Sequence, residues 1–151
     1  MIPGARYAHT NLIARDWRAL AAFYGSVFGC EVVPPERKFS GRDLEVGTGV
    51  PNAALEGVHL RLPGHGATGP TIEIFSYAEH ADAPMPVANR PGFGHIAFSV
   101  ESVPDAREEV FAAGGRPLGE IVTLTTSTGA TVTWCYVRDP EGNIVELQAW
   151  S

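Results

Sequence analysis

The 151-residue chain sets 11 Lys and Arg against 17 Asp and Glu, a formal net charge of -6, with 44% hydrophobic and 19% charged residues. That balance suits one globular domain with a real core, and it excludes a nucleic-acid binder because no basic stripe is available to neutralise phosphates. No run approaches the roughly 18 apolar residues of a membrane span, and MIPGARYAHT lacks the regions of a signal peptide. A cytoplasmic protein without membrane contact is therefore expected.

In chain order, RYAHTNLI has strand character and Asp16 follows it as a helix N-cap. Leu20, Phe23, Tyr24, Val27 and Phe28 recur with the period of an amphipathic helix, which Gly29 ends. The prolines and glycines of VPPERKFSGRDLEVGTGVPNAALEG, residues 33–57, predict one or two short strands and a mobile loop forming part of a lid or pocket rim. GVHLRL and TIEIFSY then read as strands joined by the turn PGHGATGP. The segment AEHADAPMPVANRPG, residues 78–92, has the composition of a linker.

Beyond it GHIAFSV is a strand, Ser102 and Pro104 start a helix with Ala106, Val110 and Phe111 on one face, and Gly114 and Gly115 stop it. RPLGEIV, ATVTWCYVR and NIVELQAW are extended segments separated by turns at TSTG and DPEGN. Each half therefore reads β, α, then about three β. This is an α+β plan in which a second copy of the unit covers the sheet face opposite the helix. It gives a first module at about residues 4–78, a linker at about 79–91 and a second module at about 92–151, within one domain spanning 1–151. Cys30 and Cys135 form no CxxC pair and read as reduced, buried hydrophobes.

Residues two apart on a strand share a face. Alternation places His9 with Tyr7 and Asn11, and sets Glu73 opposite Ile72 and Ile74. In the second half it sets His95 opposite Ile96, Phe98 and Val100, and Glu146 opposite Val145 and Leu147. A lone histidine in such a strand is more often a satisfied core residue than a ligand. A carboxylate embedded in IEI or VEL, however, is costly to bury unless it is paired, protonated or bound to a metal. Matched His and Glu positions in both halves favour the metal, because two neutral imidazoles and two carboxylates balance a divalent cation. The N2O2 set suits Zn, Ni, Co, Mn or Fe(II). His59 lacks a matched partner in the second half, and His65 and His80 sit in loops, so these three read as non-ligands. Trp17, Trp134, Trp150 and Tyr77 are candidate stacking residues for a binding role, with core packing the plainer reading.

Taken together, HTNLIARDWRALAAFYGSVFGCE, TIEIFSY, GHIAFSV and DPEGNIVELQAW resemble the vicinal oxygen chelate superfamily over nearly the whole chain. That superfamily includes glyoxalase I, methylmalonyl-CoA epimerase, extradiol dioxygenases, fosfomycin-resistance enzymes and bleomycin-binding proteins. The resemblance implies two βαβββ modules whose open sheets close around a metal cavity. Its metal positions fall on His9, Glu73, His95 and Glu146, with Glu146 or Glu73 as the catalytic base. The implied activity is that of a glyoxalase-I-like lyase or isomerase, in which a small-molecule substrate chelates the divalent ion and loses a proton to form an enediolate or enolate.

Two other readings stay open: an Fe(II)-dependent extradiol-type dioxygenase using His9, His95 and Glu146, and a non-catalytic small-molecule binding or resistance protein. The chain departs from glyoxalase I at two positions. That family commonly has Arg four residues after the first metal His and Asn four after the first metal Glu, both contacting glutathione, whereas Ile13 and Tyr77 stand here. Methylmalonyl-CoA epimerases, for their part, often carry Gln where Glu73 stands. Resemblance to small bacterial glyoxalase I enzymes implies a homodimer with sites shared between chains, a cavity within one chain being the other arrangement.

Overall fold

Asp16 opens the first helix as its sequence position predicts. In the computed structural model, which describes residues 1–151, its carboxylate accepts from the backbone N–H groups of Arg18 and Ala19, each at 3.0 Å. Such a cap stabilises a helix by about 1 kcal/mol. Helix α1 (Trp17–Phe28) ends at Gly29, whose φ of 69° is left-handed. Its Leu20, Phe23 and Tyr24 are buried with Val58, Leu60, Ile72 and Ile74 of the strands it packs on.

Those strands belong to the unit Met1–Asp82. They are β1 (His9–Ile13), β2 (Glu31–Ser40), β3 (Ala54–Arg61) and β4 (Thr71–Tyr77), in the sheet order β1-β4-β3-β2. β1 runs parallel to β4, and the other pairs are antiparallel. Residues 33–57 differ from expectation, since β2 is ten residues long and is followed by a helix, α2 (Arg42–Thr48), where a mobile loop is predicted. Pro34 and Pro35 are tolerated because β2 is the sheet edge, where a missing N–H breaks no second ladder. The β2–β3 register also shifts between Val33 and Arg37. α2 buries no residue, so it carries no apolar stripe by which a sequence pattern announces a helix.

The unit Ala83–Ser151 repeats the plan. It contains β5 (Ile96–Ser99), α3 (Val103–Ala112), β6 (Arg116–Pro117), β7 (Val122–Thr125), β8 (Thr131–Arg138) and β9 (Ile144–Trp150). The order is β5-β9-β8-β6 with β7 also on β8, and β5 is parallel to β9. Ser102 caps α3 through its hydroxyl, which accepts from the N–H of Asp105 at 3.4 Å. RPLGEIV is thus not one strand. β6 pairs with Val137 and Arg138, β7 pairs with Thr131 to Trp134, and residues 118–121 bulge out between them. The two units divide between Asp82 and Ala83, inside the stretch read as a linker. No helix is long and apolar enough to cross a membrane.

The DPEGN turn feeds β9 and is organised by Asp139, a fully buried charged residue. Its carboxylate accepts from the N–H of Glu141 at 3.0 Å, from the N–H of Asn143 at 2.9 Å and from the side-chain amide of Asn143 at 2.9 Å. These donors satisfy a charge that burial alone would make costly, and they set where Glu146 emerges three residues on. Asp139→Ala is expected to lower unfolding stability by ~2 kcal/mol or more, measured by urea denaturation. It is also expected to lift hydrogen-exchange protection first at the start of β9.

Candidate metal centre

β4 is central, with β1 on one side and β3 on the other, and Glu73 meets both neighbours. The register sets Asn11 and His59 directly beside Glu73. Glu73 shares its face with these two and with His9, opposite the face where Ile72 and Ile74 are fully buried. His9 Nε2 lies 3.1 Å from Glu73 Oε2, and the Asn11 amide donates to the same oxygen at 3.3 Å. His59 Nε2 lies 2.9 Å from the other oxygen, Oε1.

In the second unit the parallel pairing of β5 with β9 sets Ala97 beside Glu146, and Tyr136 of β8 lies across from it. His95, just before β5, reaches Glu146 Oε2 with its Nε2 at 3.0 Å. Its ring lies 5.0 Å from that of Tyr136, which in turn stands 4.9 Å from Trp134 in an edge arrangement. All four residues predicted as ligands therefore come together as two pairs, His9 with Glu73 and His95 with Glu146, at equivalent strand positions.

Both carboxylates are largely shielded, with Glu73 15% and Glu146 17% exposed, whereas His9 is 44% and His95 34% exposed. Two donors each about 2.1 Å from one divalent ion and at right angles around it stand about 3.0 Å apart. Both His–Glu separations are those of a direct N–H···O contact, and they also fall near the spacing of two donors bound side by side to one ion. No group of three or more His, Cys, Asp or Glu side chains is arranged to hold a metal ion. Each unit brings together one imidazole and one carboxylate of the kind that ligate metals.

His59, set aside as a non-ligand on sequence grounds, pairs with Glu73, a contact that the sequence pattern did not reveal. Its counterpart across from Glu146 is Tyr136, so the search for a second histidine fails at a position that is structurally equivalent. The signal was available in the hairpin itself: pairing GVHLRL with TIEIFSY across one turn brings His59 opposite Glu73. Burial pushes the His59 imidazole below its ordinary pKa, against a smaller opposing pull from Glu73. Burial likewise pushes the Tyr136 phenol up, with Glu146 adding to it, so the hydroxyl keeps its proton.

His80 sits apart from the pair, its Nε2 at 3.0 Å from the carbonyl of Ala14. Among the stacking candidates, Trp17 is buried under the Arg18 guanidinium at 4.0 Å and Trp150 is exposed. Tyr77 lines an open groove of about 540 Å³ with Trp17, Lys38, Phe39 and Glu56. Register also places Ile13, Leu55, Phe75 and Tyr77 on the same face as His9 and Glu73. The glutathione-contacting positions of the glyoxalase I resemblance are thus an apolar wall.

Comparison with known proteins agrees with this architecture. The sequence model of the Glyoxalase/Bleomycin resistance protein/Dioxygenase superfamily matches residues 6–147. An ethylmalonyl-CoA/methylmalonyl-CoA epimerase from Cereibacter sphaeroides is 27% identical over 143 residues, 95% of this chain and 96% of the relative. A glyoxalase family protein from Bacillus cereus superposes with a TM-score of 0.82 at 17% identity, covering 99% of both chains. The fosfomycin resistance protein of Listeria monocytogenes, solved with Mn(II) and sulfate, superposes with a TM-score of 0.54 at 20% identity over 99% of this chain and 93% of that one.

The cysteines stand outside the donor set. Both are free and buried, and burial pushes the Cys30 thiol up to about 11 and the Cys135 thiol up as well. Thiolate is the reactive form, so iodoacetamide at pH 8 is expected to leave both thiols unlabelled in the native protein and to label both in urea, read by intact mass.

Proposed function

Because the chain belongs to the Glyoxalase/Bleomycin resistance protein/Dioxygenase superfamily, we propose that it is a divalent-metal-dependent enzyme of the lyase or isomerase kind that moves a proton on a small oxygenated substrate. The observation that carries the reading is the repeated pair, His9 with Glu73 at 3.1 Å and His95 with Glu146 at 3.0 Å, at equivalent positions of two like units. His9, Glu73, His95 and Glu146 would hold the ion, and Zn, Ni, Co, Mn and Fe(II) all suit that donor set. When bound, such an ion supplies Lewis-acid stabilisation of negative charge on adjacent substrate oxygens.

Glu146 is the base in this reading. It meets His95 through Oε2 alone, and Oε1 takes the proton from the substrate carbon and returns it. Glu73 is engaged at both oxygens by His9, Asn11 and His59, which suits holding rather than transferring. Ile13, Leu55, Phe75 and Tyr77 offer the substrate an apolar wall in place of a charged clamp. The epimerase relative supports proton transfer, since epimerisation is itself removal and return of a proton at carbon.

Each pair is half of a four-donor set, and the assembly that completes it is a homodimer. His9 and Glu73 of one chain join His95 and Glu146 of another, giving two sites per dimer. Protein purified without chelators is expected to carry about one divalent ion per chain, and His9→Ala or Glu146→Ala to strip it. Mixing the two variants with exchange makes half the dimers mixed, each with one intact site of two, so about a quarter of the wild-type metal content returns. Metal content near zero in the wild type overturns the metal reading, and no return under demonstrated exchange overturns the shared site. The glutathione adduct of methylglyoxal is expected to be a poor substrate for the metal-loaded protein in a turnover assay. Oxygen uptake with catechols after anaerobic Fe(II) loading would replace proton transfer with ring cleavage.

A further inference from the structure

The two carboxylates occupy equivalent places but unequal surroundings. Across from Glu146 the neighbouring strand presents Tyr136, which makes a ring contact with His95. Across from Glu73 it presents His59, whose imidazole is engaged at both nitrogens. Nε2 meets Glu73 Oε1 at 2.9 Å and Nδ1 meets the Thr71 hydroxyl at 3.3 Å. The ring is confined as well, edge-on to Phe75 at 6.0 Å and to His9 at 6.1 Å. Phe75 itself is seated over Gly57, where any added Cβ would collide with the Phe75 ring and the Ile74 carbonyl. A glycine, an aromatic ring and a threonine hydroxyl thus fix one imidazole against one oxygen.

From this arrangement, and resting on the metal reading above, we propose that His59 is a positioning residue that clamps Oε1 of Glu73 and leaves Oε2, beside His9 Nε2, as the single oxygen offered to the ion. A neutral imidazole has one N–H. The carboxylate can only accept, so that N–H is on Nε2, and Nδ1 then accepts from the Thr71 hydroxyl. An Nε2 that donates to Glu73 has no lone pair for a metal, and what separates His59 from His9 is the far nitrogen: the Thr71 hydroxyl anchors Nδ1 of the part-buried His59 and fixes its tautomer, whereas the His9 side chain is 44% exposed and can give up its Nε2 proton for the ion. The two histidines also address different oxygens of one carboxylate. Clamping Oε1 keeps Glu73 monodentate and removes the rotation about its terminal torsion that would otherwise be lost on metal binding. Partners that orient a ligand in this way change metal affinity by about 10- to 100-fold.

Co(II) titration of the full-length protein, followed by visible absorption and calorimetry, tests this. His59→Phe keeps a ring of similar size against Phe75 and removes the donor, while His59→Gln restores an N–H at the reach of Nε2. The expected result is a fall in Co(II) affinity of about 10- to 100-fold for the Phe variant, weaker visible bands as Oε1 becomes free to join the ion, and recovery of both in the Gln variant. Thr71→Val, which releases only the far side of the ring, should give a smaller loss in the same direction and serves if the Phe variant does not fold. Wild-type affinity and bands in the Phe variant, or in Thr71→Val where that variant stands in, overturn the inference. So does a Gln variant as weak as Phe with an imidazole ligand lost from the Co(II) spectrum, because His59 is then itself a ligand. Failure of the wild type to take up Co(II) overturns the metal reading and the inference together.

Discussion

A carboxylate at the centre of an apolar strand has to be met by a partner, and this constraint organises both halves of the protein. Glu73 sits between Ile72 and Ile74, and Glu146 between Val145 and Leu147, with all four apolar neighbours fully buried. In each unit one partner comes from the parallel side, His9 on β1 beside β4 and His95 just before β5 beside β9, and Glu73 has a second partner in His59 on the antiparallel β3. A parallel strand cannot be reached by a tight turn, so the chain between the members of such a pair makes a long excursion that includes α1 or α3. Each helix buries one sheet face, and the imidazole and carboxylate are left to meet on the other. The same pairing that gives a strand carboxylate its partner therefore sets two metal-type donors 3.0–3.1 Å apart.

Equivalent scaffolds carry unequal chemistry. Glu73 has polar neighbours on both flanking strands, His9 and Asn11 on β1 and His59 on β3. Glu146 has His95 on one side and, on the other, a phenol that stays protonated, continuing into Trp134. One carboxylate is held at both oxygens and the other at one. This difference underlies the roles proposed for them, Glu73 as a holding group and Glu146 as the base.

Element periodicity was legible at the residues where burial is one-sided. Asp16, Gly29 and the apolar stripe between them mark α1 because a helix that buries one face must repeat with a period near 3.6. TIEIFSY and NIVELQAW read as strands for the corresponding reason. Where burial was absent the reading failed: α2 buries nothing and went unseen, and β2 runs through two prolines that only an edge position tolerates. RPLGEIV looked continuous, yet four of its residues bulge away between β6 and β7 because they face two residues of β8.

The sequence by itself determined which residue types stand on which face of each strand, and so named His9, Glu73, His95 and Glu146 as candidates, since alternation is a local property of an extended backbone. Only the tertiary structure decided their partners, because partners are set by strand order and register, which are long-range. Register is what set His59 opposite Glu73 and Tyr136 opposite Glu146, and no spacing within either strand contains that information.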